Sequence, residues 1–173
     1  ISDGRKVGLI GRNGAGKTTL LNLVLKELEA ESGEIELSKS WRVGSVAQEA
    51  PAGPRTLLDW VLDADIERKS LLAEAETATN PIRVGEIHAR LDEIGAHGAP
   101  SRAARILAGL GFPDDQQKRP CSEFSGGWRM RVALAAVLFA QPDLLLLDEP
   151  TNYLDLEGSI WLEDYLKRYR GTV

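Results

Sequence analysis

The run Gly11-Arg12-Asn13-Gly14-Ala15-Gly16-Lys17-Thr18 constrains this chain more than any other stretch. It has the form G-x-x-x-x-G-K-[ST], and it stands between two segments of different periodicity. Before it, Arg5 to Ile10 carries Val7, Leu9 and Ile10 after an Asp3-Gly4 turn and reads as a short strand. After it, Leu20, Leu21, Val24, Leu25 and Leu28 fall at helical spacing, which predicts a helix from about Lys17 to Leu28. In a strand–loop–helix of this kind, glycines let the backbone curl so that several N–H groups point at one phosphate. The helix N-terminus adds its positive dipole end. Lys17 places a point charge against the β- and γ-phosphates, and the Thr18 hydroxyl is a ligand for Mg²⁺.

A second constellation lies far downstream. Leu144 to Leu147 is a continuous apolar run ending in Asp148-Glu149. Such a run suits a central strand of a parallel sheet covered on both faces. In parallel α/β sheets, ligands bind at the carboxyl ends of the strands. Asp148 is then placed to hold Mg²⁺, directly or through water, and Glu149 to polarise an attacking water. Alone, two acids after a strand read as a solvated turn or a helix start. The phosphate loop upstream and Pro150-Thr151 behind them shift that reading.

The middle of the chain is helical. Gly33 opens two alternating strands, Glu34 to Leu37 and Arg42 to Ala47, before Pro51, Gly53 and Pro54 break the pattern. Thr56 can cap a helix running to about Thr77. Asn80-Pro81 turns the chain, and Ile82 to Ile94 forms a second helix with Ile87, Leu91 and Ile94 on one face. Glu67, Arg68, Lys69, Glu74 and Glu76 give this hairpin a solvated side. Further helices are expected over Pro100 to Leu110, from Phe124-Ser125-Gly126-Gly127 to Ala140, and from Leu156 to Tyr169. Gly171-Thr172-Val173 reads as the start of another strand. The expected organisation is an α/β core of residues 1–55 and 141–173 with an inserted helical subdomain of residues 56–140, cut from a longer chain at both ends.

Composition narrows the classes. The formal net charge of −5 argues against non-specific nucleic-acid binding. The single cysteine, Cys121, precludes an internal disulfide and fits a reducing cytosol. The longest apolar stretch, Val132 to Ala140, falls far short of the roughly 20 residues a membrane span needs. A cytoplasmic protein without direct membrane contact is expected.

Taken in order, the motifs resemble those of ABC ATPases. Gly11 to Thr19 resembles the Walker A loop, which implies nucleotide contacts from Gly11, Asn13, Gly14, Ala15, Gly16, Lys17, Thr18 and Thr19. Gln48 looks like the Q-loop glutamine, a catalytic and metal-contacting position. Ser125-Gly126-Gly127 resembles the signature, Leu144 to Glu149 resembles Walker B with Glu149 as catalytic base, and Tyr153-Leu154-Asp155 resembles the D-loop. The implied fold is a P-loop NTPase domain, and the implied cofactors are ATP and Mg²⁺, with Thr18, Gln48 and Asp148 around the metal.

Finer features resemble the ABC-F family, soluble proteins with two ABC domains that act on the ribosome. Phe124-Ser125-Gly126-Gly127-Trp128-Arg129-Met130-Arg131 looks like the signature of the first domain, with Trp128 where transporters usually carry glutamine. Asp148 to Asp155 is similar to the ABC-F form, with Asn152 after the threonine and Tyr153 in place of the commoner histidine. The long span between Gln48 and Ser125 resembles the inserted arm. Singly these residues have bland readings: Gln48 as a solvent-facing strand end, Ser125 as a helix cap, Trp128 and Trp161 as core or interface aromatics.

The resemblance implies a second ABC domain as partner, in the same chain or a dimer mate, because the signature of one domain completes the site of another. It also implies the ribosome. The alternatives are the ATP-binding subunit of a membrane transporter and a nucleic-acid-associated ABC ATPase. Two family features are missing: no histidine follows Glu149, since His88 and His97 both precede it, and no aromatic residue precedes Gly11. The expectation is weak nucleotide binding and little or no hydrolysis by this stretch alone.

Overall fold

The computed structural model describes residues 3–46 and 51–173. The chain forms two compact units, residues 1–48 with 141–173, and residues 49–140.

The first unit is built on parallel pairing. Strands β1 (Val43–Ser45) and β2 (Leu144–Leu146) run side by side in the register Val43 to Leu144, Gly44 to Leu145 and Ser45 to Leu146. On the other side of β2, Leu144 bridges Thr172 in parallel, through Thr172 N–H to the Asp143 carbonyl and Leu145 N–H to the Thr172 carbonyl, both 2.8 Å. Val173 then donates to the Arg5 carbonyl (2.9 Å) and accepts from Val7 N–H (2.7 Å). The chain before the glycine loop is thus tied in beside residue 173, although two bonds fall short of a strand where Arg5 to Ile10 was expected to form one. Glu34 to Leu37 also lies outside any strand of the described residues. Its alternation is real, but alternation makes a strand only where a ladder partner stands alongside.

Helix α1 (Lys17–Val24) is shorter than expected, and the chain turns at Lys26 with φ 62°. Helix α8 (Leu156–Arg168) ends near Tyr169, whose hydroxyl donates to the Pro142 carbonyl at 2.7 Å. Burial raises that phenol's pKa, so it stays a protonated donor. Lys6 Nζ donates to the Tyr169 and Gly171 carbonyls at 2.6 and 2.8 Å and stitches the N-terminal segment to this end of α8.

The second unit is helical. In place of one helix from Thr56 to Thr77 there are two, α2 (Leu57–Leu62) and α3 (Ile66–Thr77). Each has its own cap: Thr56 accepts from Asp59 N–H and Asp65 from Arg68 N–H. This second cap, Asp65, starts a new helix because its oxygen satisfies a free N–H of the following first turn. Helix α4 (Pro81–Glu93) follows, capped by Asn80 and opened by Pro81. Helices α5 (Ala99–Gly109), α6 (Asp114–Gln117) and α7 (Gly126–Ala140) complete the unit.

Helices α2, α5 and α7 pack on one another. Leu57, Val61, Leu107, Leu110, Phe112, Val132 and Leu138 are fully buried there. The hairpin of α3 and α4 has a smaller core of Ile87, Leu91 and Ala96, flanked by Leu71, Ala75, Ala78 and Ile94. Its outer side is laced by ion pairs, Arg83 with Glu74 and Arg90 with Glu67. Residues 51–55 hydrogen-bond within this unit: the Arg55 carbonyl accepts from Cys121 N–H, and the Gly53 carbonyl from Ser122 N–H.

Candidate functional site

The loop before α1 has the shape its glycines allow. Gly14 and Gly16 hold φ of 79° and 89°, the left-handed region that a side chain resists. Ala15 N–H closes a turn on the Arg12 carbonyl at 3.1 Å. Gly16 is the N-cap of α1, and no side chain caps that end. The first-turn N–H groups at Lys17, Thr18 and Thr19 are therefore left for an anion, at the positive end of the helix dipole. The Lys17 ammonium folds over the loop and donates to the Gly11 and Arg12 carbonyls at 3.0 and 3.3 Å. Lys17 is half-buried, whereas Gly11, Asn13, Gly14, Ala15, Gly16, Thr18 and Thr19 are exposed.

The two constellations read from the sequence meet. Thr18 Oγ1 donates to Asp148 Oδ2 at 2.5 Å, although the residues are 130 positions apart. Asp148 lies just beyond the carboxyl end of β2, and the chain ladder that runs through Thr172 and Val173 to Arg5 brings the loop within reach. A hydroxyl and a single carboxylate form a hard, oxygen-only donor set. No cluster of three or more His, Cys, Asp or Glu residues that could hold a metal occurs among the described residues. That combination suits Mg²⁺, which takes one or two protein ligands and draws the rest from phosphates and water, and does not suit Zn²⁺, which takes three or four protein ligands.

Glu149 follows in an unusual conformation, φ 44° and ψ 52°, directly before Pro150. Its Oε2 accepts from Asn152 Nδ2–H at 2.9 Å. Asp155 caps α8, with Oδ1 accepting from Gly158 N–H at 2.9 Å and its carbonyl from the Ser159 hydroxyl at 2.8 Å. The sequence reading missed both arrangements. Asp155 stands three residues before Gly158 at a helix start, the ordinary spacing of a cap, and that signal was available.

Gln48 lies outside the described residues. Ser125, Gly126 and Gly127 belong to the helical unit. They sit at the N-terminus of α7, the Ser125 carbonyl accepting from Arg129 N–H at 2.9 Å, with Ser125 and Gly126 exposed. Trp128, one residue on, packs edge-on to Phe112 with ring centroids 5.1 Å apart, and the Arg131 guanidinium lies 4.3 Å from its ring. His97 pairs with Asp92 in the helical unit. No helix of the described residues is long and apolar enough to cross a membrane.

Residues 1–152 match the ABC transporter family. Among curated relatives, the whole chain is 49% identical to the Probable ATP-binding protein YheS of Escherichia coli K12 and covers 28% of it. Over 98% of the chain it is 46% identical to human ATP-binding cassette sub-family F member 3, covering 25% of that protein. It thus spans about a quarter of the length of these relatives. Among solved structures, the archaeal ribosome recycling factor aABCE1, in complex with the ribosomal stalk protein aP1, superposes on 99% of the chain. That match has a TM-score of 0.66 and 25% identity, and it takes in 28% of the aABCE1 chain. The loop, the carboxylate after β2 and these likenesses agree: the chain belongs to the ABC transporter family, as a P-loop ATP-binding domain of the ABC-F type.

Proposed function

We propose that this domain binds Mg-ATP and hydrolyses it when paired with a second ABC domain, in the same full-length protein or a dimer mate. The observation that carries the reading is the 2.5 Å contact between Thr18 Oγ1 and Asp148 Oδ2. It joins a phosphate-binding loop to a strand-end carboxylate, the two protein ligands that Mg²⁺ beside a triphosphate requires. Backbone N–H groups from Asn13 to Thr19 cradle the phosphates, and Lys17 exchanges its carbonyl partners for phosphate oxygens. Thr18, Asp148 and Gln48 would hold Mg²⁺, which would supply positive charge to the phosphates. Glu149 accepts a proton from the attacking water at its carboxylate. Ser125, Gly126 and Gly127 face the γ-phosphate held by the partner domain, where an exposed helix N-terminus suits an anion. Asp155, at the position of the D-loop aspartate, would also meet the partner domain.

The same reading puts the full-length protein in the cytoplasm, acting on the ribosome, with the helical stretch from about Leu57 to Ile94 as the contact arm. Similarity to sub-family F member 3 across the chain and likeness to a ribosome recycling factor support it. The test uses the full-length protein carrying Glu149→Gln. With ATP it is expected to co-sediment with ribosomes, and without nucleotide to stay in the supernatant. If ATP does not shift the variant into the ribosomal pellet, the translation reading fails.

A further inference from the structure

Glu149 is a non-glycine residue in left-handed backbone, φ 44° and ψ 52°, and it precedes a proline. Such a conformation is unfavourable for a residue with a side chain and persists only where neighbours hold it. Here one residue supplies both holds. Asn152 N–H donates to the Glu149 carbonyl at 3.1 Å, and Asn152 Nδ2–H donates to Glu149 Oε2 at 2.9 Å. Both bonds close over Pro150 and Thr151, at the start of the short 3₁₀ turn Pro150–Tyr153. The first fixes the backbone and the second fixes the carboxylate. Glu149 is exposed, so a glutamate there, left alone, would move among several rotamers. The amide engages Oε2 and leaves Oε1 as the acceptor for a proton.

We propose that Asn152 is a positioning residue for hydrolysis, its side-chain amide holding the Glu149 carboxylate in one orientation for taking the proton of the attacking water. This rests on the reading of Glu149 as general base. In that step the water oxygen bonds to the γ-phosphorus, its proton passes to Glu149, and the bond from phosphorus to the bridging oxygen breaks to release ADP. On this reading Asn152 acts through Glu149. It acts by confining the acceptor, which raises the fraction of bound complexes in reacting geometry. Its effect therefore falls on turnover and not on affinity.

The experiment measures steady-state ATP hydrolysis and nucleotide binding by the full-length protein with Asn152→Ala, Asn152→Asp, Asn152→Gln and Glu149→Gln. Asn152→Ala is expected to lower kcat about tenfold with KM held within about twofold. Asn152→Asp keeps the size and the main-chain bond but sets one carboxylate against another, so kcat falls at least as far. Asn152→Gln still offers an amide donor and recovers part of the loss. A purely steric role would tolerate aspartate. Full activity of Asn152→Asp, a rise in kcat, or a loss confined to KM overturns the proposal. If Glu149→Gln abolishes turnover while every Asn152 variant turns over normally, only the positioning role falls. If Glu149→Gln retains turnover, the general-base reading falls and this role with it. Thermal unfolding of each variant identifies any that fail to fold, and the Asp and Gln variants serve where Ala does not.

Discussion

The two units hold their shape by different means. In the helical unit, α7 buries eight of its residues, and Phe112 is enclosed by Phe124 and Trp128 at centroid distances of 5.7 and 5.1 Å. In the nucleotide unit, α1 has no buried residue, and Ile10, immediately before the loop, is 97% exposed. Leu145 and Leu162 give that unit a small buried core, but its loops are ordered by polar bonds: Lys17 on two carbonyls, Thr18 on Asp148, Asn152 on Glu149, Asp155 on Gly158. A packed core resists change through area and volume, whereas a polar loop resists through a few directional bonds. Stability and site chemistry should therefore separate under mutation.

The sharpest way to break that contrast is Phe112→Ala. Removing a fully buried ring from an aromatic cluster is expected to cost about 3–5 kcal/mol in chemical denaturation followed by helical circular dichroism. A cost below about 1 kcal/mol would mean that the helical core does not carry the load assigned to it. Next in size is Lys17→Ala. Loss of a charge-assisted contact to phosphate should weaken nucleotide binding by at least about tenfold, while unfolding changes by less than about 0.5 kcal/mol. A large loss of stability would show that the loop is structural. The smallest effect belongs to the hairpin surface. The hydrogen bond from Arg83 holds the Glu74 carboxyl below its ordinary pKa. A carboxylate lowered in the folded state stabilises at neutral pH, and that contribution fades as pH falls through the lowered value. Glu74→Gln should flatten the acid side of the hairpin's stability profile slightly, and added salt should shrink the difference. An unchanged acid limb would remove this pair from the account.

What was legible in the sequence follows the same division. The glycine loop and the strand-end acids are short motifs whose residue types are dictated by local chemistry, so their places could be read residue by residue. That Thr18 and Asp148 lie side by side follows from the ladder that runs from β2 through Thr172 and Val173 to the segment before the loop, a long-range pairing that no local motif displays. The division of Thr56 to Thr77 into two helices was not read, because apolar spacing runs on through Leu62 and Ile66 while only the Asp65 cap marks the break. The strand expected over Glu34 to Leu37 failed for the opposite reason: local alternation cannot show whether a neighbour exists. Asn152 was read for its family likeness alone. Its bond to Glu149 depends on a left-handed backbone at Glu149, which no propensity rule assigns to a residue before proline.

The carbonyls of Gly11 and Arg12 have a consequence for how the loop meets its ligand. They accept from the Lys17 ammonium, so the loop is folded around a cation of its own chain. An incoming triphosphate then trades one set of oxygens for another without first having to shape disordered chain. A loop already held by its own cation has less conformational entropy to lose on binding, so association should carry a smaller entropic penalty than ordering a free chain would.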